Sequence, residues 1–280
     1  MKARVKAIAG AAKTLALCAD DYGLSAAANR GIGQLAARGR LTAVSCLANG
    51  PAWAEGAPAL TALPGVALGT LRLGLHFNLS EGRPLSRTLA SHWPRLPTLP
   101  RLLVLAHLRQ LPLKALRDEL QAQWQAFTRA AGFTPAYIDG HQHVHHLPGL
   151  RDIVLALVAA QPGLLVRDTA VVSGPAFGFK RQVIASTGGR AMRRALQTLS
   201  AQANTQLLGV YDFKATDYRA LMQAWLAAAP KRGGLLLCHP GEADPDDTIS
   251  SARVRELAYL GSEDFAQDLR AAGVQLGHAF

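Results

Sequence analysis

Apolar runs that stop abruptly at polar residues or glycine recur along the 280-residue chain, each followed by a stretch with helical period. The first run, Thr14 to Ala19, halts at Asp20-Asp21-Tyr22-Gly23 and reads as a buried strand. A helix then runs from a Ser25 cap through Ala26 to Arg38 and closes at Gly39. Leu41 to Leu47, rich in small and branched residues, predicts a second strand, with Asn49-Gly50-Pro51 as its turn. Leu71 to Leu79 alternates around His76, and Leu113 to Ala130 places Leu116, Leu120, Trp124 and Phe127 on one helical face. Ala136 to Ile138 is a short strand that runs into Asp139-Gly140-His141. Ile153 to Ala160 is helical, Leu164 to Val166 is a strand ending at Arg167, and Leu235 to Leu237 is a late strand ending at Cys238-His239-Pro240.

Strands that alternate with helices pair in parallel, with the helices outside. At this length the expectation is one α/β domain over residues 1–280, a (β/α) barrel or a related open sheet. Two stretches break the rhythm: Arg83 to Pro112 and Ser173 to Leu208 read as long irregular excursions over the surface. Loops of that length carry function or flexibility.

Composition narrows the setting. With 49% hydrophobic residues the chain can bury a large core, yet no stretch reaches the roughly 20 apolar residues of a membrane span. It is therefore not expected to be integral to a membrane. The start, MKARVKAIAGAAKTLALCA, looks like a weak leader, but Lys13 interrupts the run and bulky Leu17 precedes Cys18. Cleavage there would also remove the strand carrying Asp20 and Asp21, so a cytoplasmic location is expected. Three sparse cysteines, Cys18, Cys46 and Cys238, fit buried thiols in a reducing compartment. A net charge of +11 raises the question of nucleic acid. The cations are scattered, with no aromatic-interleaved patch, and no nucleic-acid partner is expected.

The chemistry lies at the strand ends. Asp20-Asp21, His76, His141 and His239 each fall at or near the C-terminal end of a predicted strand, and in parallel α/β barrels those ends share one rim. Singly, each has a bland reading: an Asp pair caps the next helix, His76 is a hydrogen-bonded core residue, and His239 is a strand-end residue. The density of Asp139-Gly140-His141-Gln142-His143-Val144-His145-His146 is harder to explain structurally. Period two puts Asp139, His141, His143 and His145 on one strand face, and short His-rich tracts point to metal. Carboxylates and imidazoles together make a mixed oxygen and nitrogen sphere that suits zinc, or magnesium or manganese with more bound water.

These residues resemble the YdjC-like (ChbG/HpnK) carbohydrate deacetylases. The matching segments are Ala19 to Ser25, Leu41-Thr42 to Asn49-Gly50, Gly74 to Leu79, Ile138 to His145 and Cys238-His239-Pro240, in the same order over most of the length. The resemblance implies a deformed (β/α) barrel related to polysaccharide deacetylases, a homodimer, one divalent metal ion (Mg or Zn) and an N-acetylated sugar substrate, chitooligosaccharide-like or hopanoid-linked. It implies Asp20 as general base, Asp21, His76 and His141 as metal ligands, and His239 as general acid. His143 would lie near substrate or behind the ligands, and Arg167 would orient the base or the substrate. Gly140 stands where the family often has Ser, which leaves the ligand positions untouched. A metal-dependent phosphoesterase would use similar ligands with more cations or a second metal. A non-catalytic cationic nucleic-acid binder is the alternative from another class.

Overall fold

In the computed structural model, which describes residues 12–175 and 177–279, the centre is β1 (Lys13–Tyr22), buried from Leu15 onward. A strand covered on both faces needs an apolar run without alternation, and β1 supplies one. It pairs with β2 (Ala43–Cys46) on one side and with β7 (Gly234–Cys238) on the other. Outward from β2 come β3 (Arg72–Phe77), β4 (Tyr137–Gly140) and β5 (Leu165–Val166); outward from β7 comes β6 (Gln206–Leu208). A short β8 (Val274–Leu276) joins the start of β1. All pairings are parallel. Single parallel bridges, Val166↔Ala203 and Val172↔Leu207, link the two ends of the path, so the sheet curls into a deformed barrel with helices outside.

The helices begin and end where local chemistry dictates. Ser25 Oγ accepts the Ala28 N–H at 3.2 Å to cap the Ala26–Ala37 helix, and Gly39, at φ +65°, takes the left-handed turn that ends it. The Leu113–Ala131 helix buries Leu116, Leu120, Trp124 and Phe127 as expected. It also buries two polar residues. Glu119 accepts the N–H groups of Leu85 and Ser86, and Gln123 brackets the Asn78 backbone, so this helix ties down the chain that follows β3.

Both excursions contain helices that their proline and arginine content hid. Residues 83–112 fold into Arg87–His92 and Leu99–His107. Residues 173–208 fold into Gly178–Ile184, a π-turn at Ala185–Gly189, the Arg190–Thr198 helix and β6. The basic start of the leader-like pattern lies outside the described residues. No helix among those described is long and apolar enough to cross a membrane.

Candidate active site

Strand alternation assembles the site. On β1, Leu15, Leu17 and Ala19 pack outward against the helices, while Ala16 and Cys18 point into the barrel. Asp20 is next in the inward series. The same rule applies around the ring: Leu75 and Phe77 face out and leave His76 inward, and Ile138 faces out between Tyr137 and Asp139. Leu165 faces in two residues before Arg167, and Leu237 faces in two residues before His239. Five strands thus deliver Asp20, His76, Asp139, Arg167 and His239 to one end of the barrel.

Asp21 breaks the alternation. It belongs on the outer face, but a bulge between Ala19 and Tyr22 shifts the register against β2, and Asp21 sits at φ +74°. That turn brings both carboxylates to the same cavity. Asp21 Oδ1 lies 2.9 Å from His141 Nδ1 and 3.5 Å from His76 Nε2.

Below this level lies a buried charged network. Arg167 grips Asp20 with both terminal nitrogens, at 2.7 and 2.6 Å, and reaches Asp139 Oδ2 at 2.7 Å. Asp139 accepts from Ser45 Oγ at 2.6 Å and holds His76 Nδ1 at 2.6 Å. Burial opposes charge on Asp20, yet Arg167 overrides it and keeps the carboxyl well below the usual range. Burial likewise opposes charge on Asp21 and is outweighed by Arg253 and His141. Burial would keep His76 neutral, but the Asp139 and Asp20 carboxylates lift it to about 10. That proton affinity marks a place where positive charge is wanted.

Asp21, His76 and His141 present ligand atoms within 4.8 Å of one another, all buried. Asp139 behind His76 fixes the ring so that Nε2 faces Asp21, the carboxylate–histidine arrangement that orients a metal-binding imidazole. The donor set fits a divalent cation. A second cluster, Cys18, Asp20 and Asp139, has similar spacing, but Arg167 lies among all three and takes the cation's place.

The period-two reading of residues 139–145 fails, for a local reason. β4 stops at Gly140, and His141–His146 forms a tight helical turn with Gln142 and His143 in the left-handed region, at φ 52° and 62°. The histidines therefore fan out. His141 joins Asp21, and His143 lines the cleft with Nδ1 buried and without a partner among the described residues. His145 Nε2 donates to the Arg167 carbonyl, and His146 bonds Thr169 and Thr187. The turn packs onto Gly140, where a Cβ would lie 2.7 Å from the His145 nitrogen. Gly140→Ser should therefore destabilise the protein by about 1–3 kcal/mol, read as a lower urea midpoint. Unchanged stability would mean that the turn can move away.

His239 closes the opposite wall. Its ring packs edge-on against Phe213 at 5.0 Å, Nδ1 is buried without a partner among the described residues, and burial pulls the imidazole down to about 4. Two residues missed in the sequence support it, both on the Ser250–Leu260 helix. Arg253 bonds Asp21 Oδ2 at 2.8 Å, reaches the His239 carbonyl and pairs with Asp247. Glu256 accepts the His239 N–H at 2.5 Å and the Tyr211 hydroxyl. Burial pushes Glu256 up to about 7 against those hydrogen bonds, from an ordinary value of 4.5. Between those values the folded chain holds a proton that the unfolded chain lacks, so Glu256 increasingly costs stability as pH rises through the window. Glu256→Gln should gain stability on the wild type by on the order of a few kcal/mol between pH 4.5 and 7. Parallel stability curves for the two proteins would refute this.

Above the network opens a cleft of about 550 Å³, walled by Asp21, His141, His143, His239, Tyr211 and Phe213. Glu81, also unassigned from sequence, reaches in from the rim and touches His141 Nε2 at 3.0 Å. Asp20 and His76 lie just beneath the floor, 3% and 1% exposed.

The model of the family described as YdjC-like protein matches residues 14–271. A chitooligosaccharide deacetylase of Proteus mirabilis is 30% identical over 276 residues, 95% of this chain and 97% of that one. One from Klebsiella pneumoniae is 28% identical over 279 residues, with the same coverage. Among solved structures, a protein of Enterococcus faecalis V583 described as a candidate cellobiose-phosphate cleavage protein superposes with a TM-score of 0.71. It is 20% identical and is covered over 96% of this chain and 98% of its own, a likeness that speaks to fold. With its strand-end residues in place and both matches running nearly end to end, the chain belongs to the YdjC-like family.

Proposed function

We propose that the protein is a metal-dependent carbohydrate deacetylase that hydrolyses the acetamide of an N-acetylated sugar. The observation that carries this reading is the buried convergence of Asp21, His76 and His141 at the floor of an open cleft. The named activity of the full-length relatives supports it. A divalent cation held by those three residues would polarise the acetyl carbonyl and acidify a water. Asp20, kept ionised and aimed by the Arg167 fork, accepts the proton of the attacking water. Tyr211 and Phe213 offer apolar faces to the sugar ring. His239, neutral at rest, gives up readily any proton it receives, and we assign it the transfer of the proton that Asp20 takes from the water to the leaving amine. His143 lies where the sugar would sit. Three free buried thiols agree with a reducing, cytoplasmic setting.

The test is acetate release from a panel of N-acetylated sugars, chitooligosaccharide and lipid-linked, with a chelated sample alongside and a phosphomonoester screen in parallel. Release that vanishes on chelation and returns with zinc or magnesium is the expected result. Phosphate release without acetate release would replace the reading with a phosphoesterase. Loss of neither activity on complete removal of metal would sink the metal dependence.

A further inference from the structure

The stretch from Gly82 to Arg117 carries seven Arg and Lys residues and no Asp or Glu. All seven are exposed, and none makes an ion pair with another described residue. The nearby acidic residues Glu81, Asp118 and Glu119 pair with none of them. The same stretch leaves large aliphatic side chains in solvent: Val104 is 57% exposed and Leu108 60%, with Leu85 and Leu113 above 40%. The Leu99–His107 helix buries Leu102 and Ala106 inward and turns Arg101 and Val104 outward, with Leu108 and Arg109 just past its end. This face is built rather than loose. Leu89, Leu96 and Leu102 anchor it in the core, and Glu119 clamps its start.

Cations interleaved with aliphatic side chains within single helical turns match an interface that is anionic at its surface and apolar just beneath. A nucleic-acid strand would use the cations but has no place for exposed leucine and valine, and rewards stacking aromatics instead. The face also borders the cleft, since Glu81 and Leu99 line it. Across the cleft, Phe179 is 84% exposed beside the lining residue Lys180.

We propose that the 83–117 face docks on the surface of an anionic lipid bilayer and holds the cleft mouth toward it. The inference rests on this surface alone and stands or falls apart from the deacetylase reading. The full chain would be sedimented with vesicles of phosphatidylcholine, with and without about 30% phosphatidylglycerol, at about 0.1 M salt. Binding to the anionic vesicles only, weakened at about 0.5 M salt, is expected. Arg101→Glu with Arg109→Glu, and separately Val104→Ser with Leu108→Ser, should each lower the partition by about tenfold or more. All four positions are exposed, and circular dichroism melts would verify that the variants fold. Three outcomes would overturn the proposal: no binding of the wild type to anionic vesicles, equal binding to neutral ones, or folded variants that bind like the wild type. Binding to poly(U) without vesicle binding, insensitive to Val104→Ser with Leu108→Ser, would overturn it as well and reassign the face to nucleic acid.

Discussion

Asp20→Asn is expected to lower acetate release about 10²–10⁴-fold, the span associated with loss of a positioned proton acceptor. The change is nearly isosteric, so the attacking water keeps its place and loses only the group that takes its proton. Arg167 explains why Asp20 suits the task. A buried carboxyl left alone would bind a proton and be useless as a base; the two-pronged contact keeps it charged and points it at the site. Divalent-cation affinity should stay close to the wild type, because Asp21, His76 and His141 are unaltered. Calorimetric metal titration alongside the rate measurement separates the two roles. A rate within about tenfold of the wild type would remove Asp20 from the chemistry. Loss of metal binding together with activity would recast it as a residue that shapes the ligand set.

The fold was legible because its signals are local. The apolar runs that stop at Asp20, Arg167 and His239 are strand lengths, and the Ser25 and Gly39 caps bound a helix that starts at Ala26 as expected and ends at Ala37, one residue before the expected Arg38. β6 and β8, of three residues each with a glutamine in both, are too short to show a strand pattern. At the site, the convergence of strand-end residues was readable and its wiring was not. Asp139 stood inside a quoted motif, but only the parallel register His76↔Asp139 reveals that it holds a histidine. Period two was carried past Gly140, where the chain leaves the strand, and the left-handed turn at Gln142 and His143 has no glycine or proline of its own to announce it. Arg253 and Glu256 stand in no motif that the sequence singles out. Their importance comes from packing their helix against β7 and the bulge in β1, a tertiary fact with no sequence period of its own.

Arg167→Met should be the most damaging single change to stability, costing about 3–5 kcal/mol at neutral pH. Methionine fills much of the arginine's volume, so the loss is not chiefly a cavity. It comes from leaving the Asp20 and Asp139 carboxylates buried together with no guanidinium between them. The sign with pH distinguishes this from a packing defect. In the wild type, Asp20 titrates below its ordinary value of 3.8 and stabilises the fold above that value. Without Arg167, burial raises Asp20 instead, so the folded variant takes up a proton and its deficit shrinks as pH falls. Urea unfolding at several pH values would show the wild-type and variant curves converging on the acid side. Arg167→Lys restores the charge without the two-pronged grip and should fall between the two. A deficit that does not change with pH would mean that the arginine is there for its shape, and a deficit under about 1 kcal/mol would mean that the carboxylates find another way to share their charge.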